Sequence, residues 1–299
     1  MRTPFTGCGT ALVTPFTRSG SVDEAAVRRL GRRQIDAGVH FLVPVGTTGE
    51  SPTLSLAERV RIVEILAEEA NGRIPVMAGA GGYDTREVIH AAADMKKAGA
   101  DGLLSVTPYY NRPTQEGLFQ HYRAIADSTT LPIVVYNVPS RTGCNIEPAT
   151  VVRLASLPQI VGIKEASGNI TQMCEVCRLV PEGFLVLSGD DAVTLPLMAI
   201  GGRGVISVVS NEIPAEMAQM VEAAERGDFT AARAMHARIM PLMQVNFIES
   251  SPGPVKAAMA AMGLLEELYR LPLVPPRPES TQRIATVLNE LGLLKEAMV

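Results

Sequence analysis

Lys164 stands in a stretch that should be buried, because Ile160, Val161 and Ile163 lead into it without a polar break. A lysine is seldom fully buried without a partner. Loss of water lowers its pKa from about 10.4 towards roughly 7–8, which leaves a useful share of neutral amine at physiological pH. A neutral amine in a partly apolar pocket is the nucleophile that a carbonyl-condensing, Schiff-base reaction needs. The plainer reading is an ordinary buried ion pair. Glu165 is a poor partner for it, since neighbours on an extended strand face opposite ways. On these residues alone both readings stand.

Imine chemistry also needs protons moved onto and off a carbinolamine oxygen. Tyr136 lies at matching depth in the preceding apolar run, and Thr47 and Tyr110 are placed to reach in from other loops. A hydroxyl suits this work because it donates and accepts at once. Taken singly, Tyr136 fits a core aromatic with a satisfied hydroxyl equally well. Gly46 and Gly49 bracket Thr47 and Thr48 in a turn whose backbone N–H groups could meet a carboxylate, although glycine pairs mostly serve turn geometry. Metal chemistry finds no comparable set. The four histidines are dispersed at 40, 90, 121 and 236, and Cys174 and Cys177 form a C-x-x-C without a nearby second pair. That motif reads as plain thiols in a helical pattern rather than zinc or redox ligands.

Eight short apolar runs rich in Val, Ile and Leu would carry these groups: 10–15, 40–45, 74–79, 101–108, 132–138, 160–166, 184–189 and 204–209. Each is nearly continuous in apolar character, as parallel strands covered on both faces are. Amphipathic helical stretches separate them. Ser55 and Glu58 offer a capping box for a helix towards Ala70, Asp84 caps the next, and Gly99 ends it. Eight strand–helix units imply an α/β chain folded as a (β/α)8 TIM barrel, with a doubly wound open sheet as the alternative. The barrel is expected over residues 1–227 and a C-terminal helical appendage over 228–299, interrupted by Pro272, Pro275, Pro276 and Pro278 and resuming a helix before Val299. In such a barrel the chemistry belongs at the C-terminal strand ends, where Thr47, Tyr110, Tyr136, Arg141, Lys164 and the Gly189-Asp190-Asp191 turn all fall.

The bulk numbers agree with a large core, since 46% of the 299 residues are hydrophobic and 19% charged. A net charge of -4 creates no field for nucleic acid or acidic membranes. The basic cluster Arg28, Arg29, Arg32 and Arg33 reads as a solvated helix face. The N-terminal residues lack the apolar core of a signal peptide, and no apolar stretch reaches the ~18 residues of a membrane span. Four scattered cysteines make no disulfide framework, so a cytoplasmic location is expected.

Several strings in order resemble the dihydrodipicolinate synthase family of pyruvate-dependent aldolases. They are Gly46 to Ser51, TPYYNRPTQEGL (107–118), YNVPSRTG (136–143), GIKEASGN (162–169), LSGDD (187–191), GGRGVIS (201–207) and SPGPVKAAM (251–259). The match covers the whole barrel and part of the tail. It implies that Lys164 attacks pyruvate and that Tyr136, Thr47 and Tyr110 relay protons, with Tyr110 supplied by the neighbouring subunit of a tight dimer. Thr47 and Thr48 would hold the pyruvate carboxylate, and the Ile206 carbonyl and Gly189 turn would line its pocket. Arg141 would receive the carboxylate of L-aspartate-4-semialdehyde, where bidentate pairing gives selectivity. The resemblance further implies the first committed step of diaminopimelate and lysine biosynthesis, no metal or organic cofactor, and a homotetramer of two dimers.

Two other functions compete with that one. Reversible cleavage of a sugar acid, such as N-acetylneuraminate or a 2-keto-3-deoxy acid, shares the lysine and the tyrosine, but such relatives generally lack the arginine found here at 141. A catalytically silent barrel would be expected to lose one of Lys164, Tyr136, Thr47 or Arg141, and all four are present. A lysine-feedback site in the family matches Ser51, Leu56, Arg59, Tyr83, Glu87 and Tyr109. Leu56 and Tyr83 stand where lysine-sensitive relatives often carry histidine and asparagine, so weak or absent inhibition by lysine is expected.

Overall fold

Parallel strands require crossovers, and the computed structural model, which describes residues 4–294, shows a helix after every strand. The strands are β1 (Gly7–Ala11), β2 (Phe41–Val43), β3 (Met77–Gly79), β4 (Gly102–Val106), β5 (Ile133–Asn137), β6 (Ile160–Glu165), β7 (Leu185–Ser188) and β8 (Gly204–Ser207). They pair in the order β2-β1-β8-β7-β6-β5-β4-β3. The ring then closes, because Leu42 bridges Val76 in parallel and the Gly79 amide donates to the Pro44 carbonyl at 3.0 Å. Closure rules out the open doubly wound sheet. The fold is a (β/α)8 barrel.

Around it run α1 (Glu24–Asp36), α2 (Leu56–Ala70), α3 (Thr85–Lys97), α4 (Gln115–Ser128), α5 (Pro139–Thr142), α6 (Pro148–Leu154), α7 (Ile170–Leu179), α8 (Thr194–Ala199) and α9 (Pro214–Glu225). Their starts are set by side chains that satisfy the orphan amides of a first turn. Ser55 and Glu58 form the reciprocal capping box of α2, and Asp84 accepts from the Arg86 amide at the head of α3. Asp228 caps α10 (Phe229–Val245), which is followed by α11 (Gly253–Ala261) and α12 (Pro278–Glu290). These three lie against α9 and the β1–β8 side through Met217, Val221, Ile239, Leu242, Ala258, Ile284 and Leu288. The helix expected before Val299 is α12, and residues 295–299 lie outside those described.

Alternation along the strands sorts side chains into two cores. Ile133, Val135, Ile163 and Val186 face the helices, whereas Val134, Tyr136, Leu185, Leu187 and Ile206 fill the barrel. Phe5 and Phe41, edge to face with centroids 5.7 Å apart, belong to that interior set. Two expectations need correction. The first strand is Gly7–Ala11 rather than 10–15. Its glycines give no apolar signal, and a side chain on Gly9 would collide with the Phe41 ring. Within the basic cluster, Arg28 and Arg32 pair with Glu69, but Arg33 is half-buried and donates to the carbonyls of Asn211 (2.8 Å) and Glu212 (2.6 Å).

Candidate active site

Strand register places the amine. Tyr136 pairs with Lys164 across β5 and β6, and Asn137 pairs with Glu165 one residue later. The first pair faces the interior, where the Lys164 Nζ sits 4.3 Å from the centroid of the Tyr136 ring. The second faces outward. There the Glu165 carboxylate accepts from Asn137 Nδ2 (3.1 Å), the Ser167 amide (2.7 Å) and Gln172 Nε2 (3.2 Å). Glu165 is therefore fully occupied on the other side of the sheet, and Lys164 makes no ion pair among the described residues.

Burial pulls the Lys164 pKa down to about 7. The Asp191 carboxylate works against that fall and the Arg141 guanidinium adds to it. Asp191 is itself buried, which raises its pKa, while its Oδ2 accepts from the Val208 and Val209 amides at 3.0 Å each. Burial also raises the Tyr136 phenol, opposed by the charge of Arg141 and by a hydrogen-bonding contact with Thr47. Space for the lysine comes from Gly189, where a Cβ would lie 3.0 Å from Lys164 Cε and 2.6 Å from the Ala166 Cβ. Ile206, fully buried on β8, belongs to the interior cluster that includes Tyr136 and Leu187.

The turn after β2 is tightly specified. Val45 (φ 50°) and Glu50 (φ 56°) both adopt the left-handed region, which costs a β-branched residue most. The kink fits only because position 79 is glycine, since a Cβ there would stand 2.2 Å from the Val45 carbonyl oxygen. Within the turn the amides of Gly49 and Glu50 donate to Gly46 and Thr47, and Thr14 Oγ1 donates to the Gly49 carbonyl at 2.7 Å. The amides of Thr47 and Thr48 find no acceptor among the described residues. Thr47 is half-buried, and Thr48 is buried. The turn thus offers two amides and two hydroxyls to a small anion.

A cavity of about 490 Å³ is lined by Gly46 and Thr47 of this turn together with Tyr136 and Arg141. Arg141 projects from the short helix α5 and donates to the Ser251 carbonyl at 3.4 Å. Of the feedback-site set, Ser51, Arg59, Tyr83, Glu87 and Tyr109 line the same cavity, with the Tyr83 and Tyr109 rings edge to face at 5.2 Å. Leu56, at the exposed start of α2, does not line it. Tyr110 does not reach into the site of its own chain. Its ring is 92% exposed. The left-handed backbone at Tyr110 (φ 73°) and Arg112 (φ 45°) accompanies this outward turn.

The model of the dihydrodipicolinate synthetase family matches residues 4–291. The chain belongs to that family. A 4-hydroxy-tetrahydrodipicolinate synthase of Koribacter versatilis is 51% identical over 294 residues, covering 98% of both chains. Among solved structures, the dihydrodipicolinate synthase of Thermotoga maritima superposes with a TM-score of 0.96 at 45% identity, covering 98% of this chain and 100% of that one. A monomeric dihydrodipicolinate synthase variant gives 0.95 at 46% identity, with 97% and 98% covered. Membership in the family accounts for the barrel, but two polar groups give no functional signal in the sequence: Asn137 closes an apolar strand, and Lys256 lies in an apolar helix, the same anomaly that marks Lys164. Asp191, in the turn after the seventh strand, has a charge that bears on Lys164.

Proposed function

We propose that this chain, whose relatives are named 4-hydroxy-tetrahydrodipicolinate synthase, condenses pyruvate with L-aspartate-4-semialdehyde. The observation that carries this reading is the buried Lys164 amine, held close to neutrality and facing the Tyr136 ring. The Nζ lone pair attacks the keto carbon of pyruvate, and water leaves to give an iminium. That cation draws electrons from the methyl carbon, which loses a proton to form an enamine. The enamine carbon attacks the aldehyde. The amino group of the second substrate then adds to the imine carbon, closes the ring and expels Lys164. The proton transfers at oxygen and nitrogen in this sequence we assign to Tyr136, Thr47 and the Tyr110 of a second copy.

Thr47 and Thr48 take the pyruvate carboxylate, with Gly189 and the Ile206 carbonyl lining its pocket. Arg141 at the cavity wall takes the carboxylate of the semialdehyde. We assign the chemistry to a barrel unit of residues 1–227, with 228–299 as an appended helical region. A homotetramer of two dimers is the assembly we propose, and the cytoplasm its compartment. No described helix is long and apolar enough to cross a membrane. Leu56 and Tyr83 replace polar feedback contacts, so half-inhibition in an initial-rate assay requires more than millimolar lysine. The assignment as a whole is tested by a coupled assay. Turnover of aspartate semialdehyde with pyruvate supports it, and cleavage of a sugar acid without that turnover refutes it.

A further inference from the structure

Lys256 and Glu50 form an ion pair with both side chains fully buried, Nζ to Oε1 at 2.5 Å. The partners are 206 residues apart in sequence, one on α11 and the other closing the turn that carries Thr47 and Thr48. Two charges taken out of water regain the loss only with close geometry and further contacts, and well-packed apolar residues commonly stabilise a fold as well. This pair has the further contacts. The ammonium lies 4.4 Å from the Phe16 ring centroid and 5.1 Å from that of Tyr269, and the Arg270 amide donates to Glu50 Oε2 at 3.4 Å.

What the pair holds is more specific than a helix against a barrel. Glu50 adopts a left-handed backbone, its amide donates to the Thr47 carbonyl at 3.1 Å, and its own carbonyl accepts from Thr53 Oγ1 at 3.0 Å. A non-glycine residue in that region persists only where its surroundings over-determine it. Its carboxylate is the anchor, tied at one oxygen to Lys256 and at the other to Arg270. Loss of the anchor frees Glu50 to leave the left-handed region, and the Thr47 carbonyl, amide and hydroxyl move with it.

We propose that Lys256, acting through Glu50, is a positioning residue for the Thr47–Thr48 turn, and so for the carboxylate of the 2-oxo acid bound there. The inference rests on the reading of the site as a pyruvate site. It is tested by titrating pyruvate against borohydride trapping, read by intact mass. The proteins compared are the wild type and the double variant Lys256→Met/Glu50→Gln, which removes both charges together and leaves neither stranded. The half-saturating pyruvate concentration should rise at least fivefold in the variant, with the full adduct still reached at saturation. A rise of less than fivefold overturns the proposal, and so does a lowered plateau at unchanged half-saturation, which is what a merely structural pair would give. If the double variant does not fold, Glu50→Asp, which keeps the charge but shortens its reach, is titrated against the same fivefold criterion. Failure of the wild type to trap pyruvate at all would instead remove the underlying reading.

Discussion

Lys164 carries a cost that the proposed chemistry requires and folding does not. Below pH 7 it is protonated in folded and unfolded chains alike, and the folded chain bears the full penalty of a buried charge. Between about 7 and the unfolded value near 10.4 the folded chain has released its proton and the unfolded chain has not, so stability rises with pH across that window. The variant Lys164→Met keeps the bulk and discards the charge. It is expected to be more stable than the wild type by a few kcal/mol at pH 6, with the gain shrinking towards pH 10. Chemical denaturation at the two pH values measures this. An Lys164→Met protein less stable at pH 6 would mean that the ammonium is paired in the folded chain.

Strands β5 and β6 hold Lys164 and Tyr136 from behind. The Glu165 carboxylate gathers donors from Asn137, Ser167 and Gln172, and Asn137 Oδ1 accepts from the Ile146 amide at 2.9 Å. Glu165→Ala strands those donors in a dry space and should cost about 2–4 kcal/mol in urea unfolding. Folded Glu165→Ala protein should still bind pyruvate covalently, since residue 165 faces away from the interior. Loss of the adduct in a folded variant would refute that division of labour. The same strands show what sequence makes legible. Apolar runs and helix caps announce seven strands and the capping box of α2, because each depends on a residue and its near neighbours. The first strand hid behind Gly7 and Gly9, whose places are set by the rings of His40 and Phe41 at the start of the neighbouring strand. Arg33 and Lys256 took their roles from partners more than 170 residues away, and no local spacing encodes such a pairing.

At the scale of the molecule, the exposed Tyr110 ring leaves the proposed relay one hydroxyl short within a single chain. A two-fold dimer repeats every contact, so each copy could supply its Tyr110 to the other's site. Two variants, each nearly inactive alone, decide the matter: Tyr110→Phe and Lys164→Ala. If they are mixed under exchange, half of random dimers are mixed, and each mixed dimer restores one of its two sites. Activity should then return to about a quarter of wild type. No recovery in a mixture shown to exchange subunits would place the relay within one chain.

All of this depends on a covalent bond between Lys164 and a 2-oxo acid. Borohydride reduction in the presence of pyruvate, with intact mass and peptide mapping, reads that bond directly. The account predicts one reduced pyruvate adduct per chain, on the peptide containing Lys164 and absent from Lys164→Ala. No mass increase in the wild type, or an increase that persists in Lys164→Ala, would contradict it.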